Sequence, residues 1–262
     1  MAIFDCRFRS ERMGRDMRFM MVVPHEGSAY TLPNLRPKLV FGLHVIGGDY
    51  QQLSAKLPLE LIANTYRLAF VLFQGDRSFY LNGFYPYEDY LLKDLIPYLE
   101  AHFQLPERKD WMIMGISMGG YGAMSLISKR PDLFHRACCL SPCLNATQII
   151  AMAREGKNRV GQEDLLFTQG FMTSETSDPA LFSFSNSSEI LIACGTEDPF
   201  YPGCLAYEKS LTEKEIPVQT LFEKGGHDWF FWNKTIFRVG GFLQGLPMKD
   251  LPNPPHEIDV GI

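Results

Sequence analysis

The chain has 262 residues, 46% of them hydrophobic and 21% charged, with a formal net charge of -5. That length suits one large α/β domain, and an acidic chain with no Lys and Arg cluster to neutralise phosphates argues against a nucleic-acid partner. No apolar run is long enough to cross a bilayer, the N-terminal M-A-I-F-D-C-R-F-R-S-E-R is charged where a secretory signal would be apolar, and the six cysteines lack zinc-type spacing, so a cytoplasmic protein with reduced thiols and no membrane partner is expected.

Along the chain, Met17–Val23 reads as a strand ended by Pro24, followed by a loop-like stretch through Pro37; two edge strands joined by a loop fit this end. Leu39–Val45 is almost continuously apolar, as a strand buried on both faces of a parallel sheet should be. Leu68–Phe73 repeats that pattern, and Gln51–Thr65 between them is a helix-bearing crossover. Tyr87–Phe103 has helical spacing, with Leu91, Leu92, Leu95, Ile96 and Leu99 on one face, and Pro97 predicts a kink or a join within it. A strand over Trp111–Met114, a helix over Met118–Lys129 and a short strand over Arg136–Ser141 follow. Strands over Ile190–Cys194 and Val218–Phe222 flank a helix around Leu205–Glu215, and an aromatic-rich helix runs from Asp228 to about Leu243. The segment Pro142–Ser188 is too long for a simple crossover and is read as a cap-like insertion, while the proline-rich stretch Gly245–Ile262 is irregular. Strands alternating with helices, without internal repeats, predict a single domain over residues 1–262: a doubly wound, mostly parallel α/β sheet with the 142–188 insertion.

The chemistry is concentrated in G-I-S-M-G-G-Y-G, where an apolar strand stops at Gly115, Ser117 sits at the apex, and Gly119, Gly120 and Gly122 lead into a helix. A serine on such a strand–turn–helix elbow is held at strained backbone angles and needs small neighbours. Its hydroxyl also needs a base. Of the downstream histidines, His227 follows a strand through a Gly-rich turn, whereas His135 sits in a loop and His256 in the proline-rich tail. Asp198, just past the Ile190–Cys194 strand, is the acid, with Glu197 beside it and Asp178 a rival within the insertion. The chain order Ser117, Asp198, His227 is the nucleophile–acid–base order of the α/β-hydrolase fold. The backbone N–H of Met118 and one from the His44–Gly48 turn, Ile46 ahead of Val45, are the expected oxyanion donors, with His44 ordering the loop. This chemistry requires no metal and no cofactor.

The segments L-H-V-I-G-G-D-Y, G-I-S-M-G-G-Y-G-A, G-T-E-D and G-G-H-D-W-x-x-W, in this order over roughly Met17 to Gly245, resemble the esterase D-related carboxylesterases, in particular the bacterial tributyrin esterase group with its acetyl and feruloyl esterase relatives. The resemblance implies catalytic roles for Ser117, Asp198 and His227, oxyanion roles for Ile46 and Met118, a small-molecule ester substrate with short acyl chains, and a homo-oligomer. Val45 stands where that group usually has glycine, and Phe230 and Phe231 stand where relatives often carry a carboxylate, which predicts a more apolar pocket rim. Among the aromatic residues, Trp229 is taken as substrate-binding, with Trp232, Phe200, Tyr201 and the insertion's Phe167, Phe171, Phe182 and Phe184 as further candidates. The alternative activity is that of a thioesterase acting on S-formylglutathione; a non-catalytic binding protein on the same fold is a third reading.

Overall fold

In a computed structural model, residues 2–25, 31–145, 148, 178–185 and 187–247 are described. The strands are β1 (Ala2–Ser10), β2 (Arg15–Val23), β3 (Lys38–Leu43), β4 (Leu68–Phe73), β5 (Trp111–Ile116), β6 (Arg136–Leu140), β7 (Glu189–Gly195) and β8 (Val218–Glu223). They form one sheet in the order β1-β2-β4-β3-β5-β6-β7-β8. From β4 to β8 every pairing is parallel; β1 and β2 join antiparallel at one edge.

The apolar runs explain the interior strands. Every residue of β4 and β5 is buried, and alternate side chains feed opposite cores. Phe41 and Ile113 face one side, where Tyr121, Leu126 and Ile127 of α5 (Met118–Lys129) cover them. Val40, Met112 and Met114 face the other, against Tyr50 and Leu53 of α1 (Tyr50–Lys56), Ile62 and Tyr66 of α2 (Leu59–Tyr66) and, from the C-terminal part of the chain, Trp232, Ile236 and Phe242. The crossover between β3 and β4 is thus two helices, broken at Leu57–Pro58.

The Tyr87–Phe103 segment forms α3 (Tyr87–Asp89), a π-helical turn over Tyr90–Leu95, and α4 (Ile96–His102). Pro97 lies at the start of α4, where the missing N–H and the ring's bulk are accommodated by the wider turn before it. Past β7, α6 (Tyr201–Glu213) begins four residues before the expected start, and α7 (Trp229–Gln244) is opened by Asp228, whose carboxylate accepts the Phe231 N–H at 2.9 Å. No described helix is long and apolar enough to cross a membrane.

Two expectations at the N-terminal end need correction. β1 is a full nine-residue edge strand that the charged N-terminal reading passed over, and it makes β2 an interior strand. Its charges Asp5, Arg7 and Arg9 fall on its exposed alternate positions, while Phe8 turns inward to stack on Tyr98 at 4.5 Å. A one-sided edge strand alternates polar and apolar residues and lacks the continuous apolar signature of the interior. The second correction concerns β3, which stops at Leu43: His44 and Val45 have left the ladder and begin the turn. Most of the 142–188 insertion, namely 146–147, 149–177 and 186, lies outside the described residues, as do 248–262 of the tail.

Candidate active site

Ser117 stands between β5 and α5 with φ 57° and ψ -113°, a backbone conformation that L-residues rarely adopt. The sequence forces it there by close approach. A methyl group on Gly115 would overlap the Gly119 carbonyl, and one on Gly119 would overlap the carbonyl of Leu43, so β5, α5 and the end of β3 are in backbone contact. The Ser117 N–H bonds the Leu140 carbonyl at 2.8 Å, tying the elbow to β6. Met118, first residue of α5, has an N–H with no acceptor inside the helix.

Asp198 and His227 arrive on loops leaving β7 and β8. These loops are stitched together by Thr196 N–H to the Glu223 carbonyl at 2.8 Å and Glu197 N–H to the Gly225 carbonyl at 2.9 Å. Asp198 Oδ2 accepts from His227 Nδ1 at 2.8 Å, and His227 Nε2 faces Ser117 Oγ at 2.9 Å. The proton on Nδ1 is assigned from the carboxylate it meets, which leaves Nε2 free to receive the serine proton. Asp198 is fully buried at its side chain and His227 is one quarter exposed. Burial opposes the carboxylate's charge, but the hydrogen bonds from His227 and from the Phe200 N–H (2.8 Å) outweigh it and hold Asp198 below the usual carboxylate range. The imidazole is clamped edge-to-face between Phe200 at 5.0 Å and Trp232 at 5.1 Å. The Cys143 thiol beside Ser117 is pushed well up by burial and stays protonated, so it offers no competing thiolate.

The turn after β3 is held differently. His44 is buried; its Nε2 accepts the Gly75 N–H at 2.9 Å and its Nδ1–H donates to the Val45 carbonyl at 2.8 Å. Burial lowers its pKa, keeping the ring neutral as both bonds require. Tyr80 Oη accepts the His44 N–H at 2.7 Å. The Val45 carbonyl also takes the Gly48 N–H at 3.1 Å, and because the following peptide is trans, the Ile46 N–H points the opposite way from that pinned carbonyl. Since Gly119 sits against the Leu43 and His44 carbonyls, this turn borders the start of α5.

The remaining candidates fall elsewhere. Asp178 accepts the Ala180 N–H at 3.0 Å and caps a short turn, and Glu197 pairs with Lys224 at 3.9 Å. His135 lies at the opposite edge of the sheet, its N–H on the Trp111 carbonyl where β5 begins. His256, Phe167 and Phe171 lie outside the described residues. Trp229 is half-buried and packs on Trp232 at 4.9 Å, one ring removed from His227. Trp232 and Phe182 are core residues, as is Phe231, whereas Phe230 is 89% exposed. Tyr80 and Gly75 went unrecognised as parts of the site, because nothing in the residues around them points to a histidine more than thirty positions away.

The Esterase family model, described as "Putative esterase", matches residues 78–242, more than half of the chain. The chain belongs to this esterase family. The esterase is 24% identical over 254 residues to an acetyl esterase of Caldicellulosiruptor saccharolyticus, covering 90% of this chain and 96% of the relative. It is 25% identical to an S-formylglutathione hydrolase of Arabidopsis thaliana over 55% of this chain and 50% of that protein. The fold of the fluorophosphonate-binding serine hydrolase FphF of Staphylococcus aureus superposes with a TM-score of 0.80 at 24% identity, covering 93% of this chain and 98% of that one. The esterase therefore has the α/β-hydrolase fold and is a carboxylic ester hydrolase.

Proposed function

We propose that this esterase hydrolyses short-chain acyl esters through an acyl-enzyme on Ser117. The observation that carries the reading is the unbroken hydrogen-bonded line Ser117–His227–Asp198, with a buried carboxylate at one ring nitrogen and the serine hydroxyl at the other. In this reading His227 Nε2 takes the Ser117 proton as Oγ attacks the ester carbonyl, Asp198 stabilises the imidazolium, and the Met118 and Ile46 N–H groups hold the developing oxyanion. His227 then gives its proton to the departing alcohol, and water, deprotonated by the same nitrogen, releases the acid. Trp229 and the exposed Phe230 form an apolar rim for the acyl or alcohol group. The esterase acts without metal or cofactor, its partner is the ester itself, and the homo-oligomer implied by the family resemblance is part of the same proposal. The six free cysteines support a reducing compartment, the cytoplasm.

A fluorophosphonate probe followed by peptide mapping tests this directly: label on Ser117 is expected, with none in Ser117→Ala and esterase turnover lost. Absence of label on the wild-type protein overturns it. A profile from acetyl to octanoyl p-nitrophenyl esters should peak at the short end. The second reading, an S-formylglutathione thioesterase, is favoured by the Arabidopsis match, but that alignment spans half of the relative whereas the acetyl esterase is matched almost end to end. Side-by-side turnover of p-nitrophenyl acetate and the glutathione thioester separates them.

A further inference from the structure

The Gly75 N–H does more than hold a ring in place. A backbone N–H can only donate, so His44 Nε2, which it meets at 2.9 Å, carries no proton, and the single proton of the neutral imidazole stands on Nδ1, where it bonds the Val45 carbonyl at 2.8 Å. The direction of the Val45–Ile46 peptide is thus set by where Gly75 sits. That place is tightly defined: a side chain on Gly75 would overlap the Tyr80 ring, and one on Gly122 of α5 would overlap the same ring, so Tyr80 is wedged between this loop and the helix that follows Ser117. The Gly75 carbonyl is pinned as well, by the Ser78 hydroxyl at 2.6 Å.

Asp76 follows with φ 44°, at the first central position of a turn that the Ser78 N–H closes on the Gly75 carbonyl at 3.2 Å. Glycine would take that conformation without strain, and strain in another residue persists where its surroundings impose it. Here they act on the carboxylate, which stands among three donors. Oδ1 accepts Gln74 Nε2–H at 2.5 Å, and Oδ2 accepts Arg15 Nη2–H at 2.9 Å together with the Tyr87 hydroxyl. The same Arg15 nitrogen reaches Tyr87 Oη at 3.0 Å, and its guanidinium lies over the Tyr85 ring at 5.0 Å. Burial opposes the carboxylate's charge, but the hydrogen bonds from Tyr87, Gln74 and Arg15 outweigh it and hold Asp76 below the usual carboxylate range. The residues on both sides of Gly75 are therefore tied, through one carboxylate, to the start of β2 and the start of α3.

We infer that Asp76, anchored by Arg15 and Tyr87, is a positioning residue that holds the Gly75 N–H on His44 and, through that imidazole, aims the Ile46 N–H. The inference rests on the proposed role of the Ile46 N–H as an oxyanion donor beside Ser117. Strain at Asp76 is then the counterpart of its anchoring, because a glycine would fit the backbone better and lose the carboxylate.

That contrast supplies the test. Asp76→Gly relieves the φ and removes the carboxylate; if the carboxylate serves stability alone, Tm moves and turnover of the folded protein does not. The positioning role predicts about a tenfold fall in kcat for p-nitrophenyl acetate with KM within about twofold, because the donor is mis-aimed in the transition state and substrate binding is untouched. In the His44→Ala background the same substitution should have no further effect on kcat, since the imidazole through which it acts is gone. In 15N-histidine-labelled protein, the His44 signal, identified by its loss in His44→Ala, should show the proton on Nδ1 in wild type and a mixture of tautomers in Asp76→Gly. An Asp76→Gly protein with kcat within twofold of wild type, effects of Asp76→Gly and His44→Ala that multiply, or an unchanged His44 tautomer overturns the inference. Should Asp76→Gly fail to fold, Tyr87→Phe, which withdraws one donor from the carboxylate, carries the same expectations at about a threefold fall in kcat, with kcat unchanged from wild type overturning the inference. Wild-type fluorophosphonate labelling on Ser117 is measured alongside: if it is absent the serine-esterase reading itself fails, whereas label on the wild type with an unaltered Asp76→Gly rate removes this inference alone.

Discussion

Two turns meet at the proposed reaction centre, and they are held by different forces. The elbow of Ser117 is fixed by excluded volume: Gly115 and Gly119 let β5, α5 and the end of β3 touch through their backbones, and there is no room for anything larger. The turn of Ile46 is fixed by hydrogen bonds to one buried imidazole, with His44 spanning from the Gly75 N–H to the Val45 carbonyl and Tyr80 bonding its own N–H. A contact made by the absence of side chains tolerates no addition. A turn held by directional bonds tolerates changes in bulk but fails when a donor or acceptor is withdrawn, because the partners left behind are buried.

The steepest consequence is at the elbow. Gly119→Ala drives a methyl into the Leu43 carbonyl, which cannot retreat without opening β3, and the expected cost is about 3 kcal/mol or more of stability with turnover lost at least a hundredfold. Thermal unfolding and p-nitrophenyl acetate hydrolysis read both; a Gly119→Ala protein of wild-type Tm would mean the turn is not held by volume. Next comes His44→Ala, which strands the Gly75 N–H and frees the Val45 carbonyl. It should lower kcat by about ten- to a hundredfold at little change in KM, less than deletion of an oxyanion donor because the Ile46 N–H remains but is no longer aimed. An unaltered kcat would show that the turn keeps its geometry without the imidazole. Tyr80→Phe removes only the hydroxyl on the His44 N–H and should cost about 1 kcal/mol of stability with a few-fold loss of kcat.

The smallest effect is a pH dependence. Burial depresses the pKa of His44, so below about pH 6.5 the unfolded chain takes up a proton that the folded protein refuses. The stability that neutral His44 contributes is complete above that pH and declines as the pH falls toward its folded pKa. Tm measured from pH 7.5 down to pH 5 should therefore drop more in wild type than in His44→Gln, and equal slopes would count against a neutral, buried imidazole.

The same division governs what could be read from the residues. Ser117 and its glycines were legible because the elbow is a local object whose strain and close packing select small residues within a few positions. His227 and Asp198 were legible from their places after apolar strands, since parallel strands put their following loops on one edge of the sheet. In the fold Asp198 meets the imidazole, whereas Asp178 caps a turn. Strand β1 escaped because a one-sided edge strand with Asp5, Arg7 and Arg9 on its outer positions reads as a charged terminus. Tyr80 carried no local mark of its contact with His44, nor Trp232 of the ring contact that clamps His227.

By itself, then, the sequence determined the alternation of strand and helix, the serine at the elbow, and the chain order Ser117, Asp198, His227 on which the proposed esterase chemistry rests. These follow from periodicity and from covalent neighbours, which act over a few residues. Tertiary structure decided which way each group points: the peptide of Val45 and Ile46 turned by a His44 ring that the Gly75 N–H also holds, the imidazole clamped by Phe200 and Trp232, the carboxylate of Asp198 met by His227 from the neighbouring loop. Aim depends on hydrogen bonds and ring contacts between residues tens to a hundred positions apart, and those distances close only when the sheet has formed.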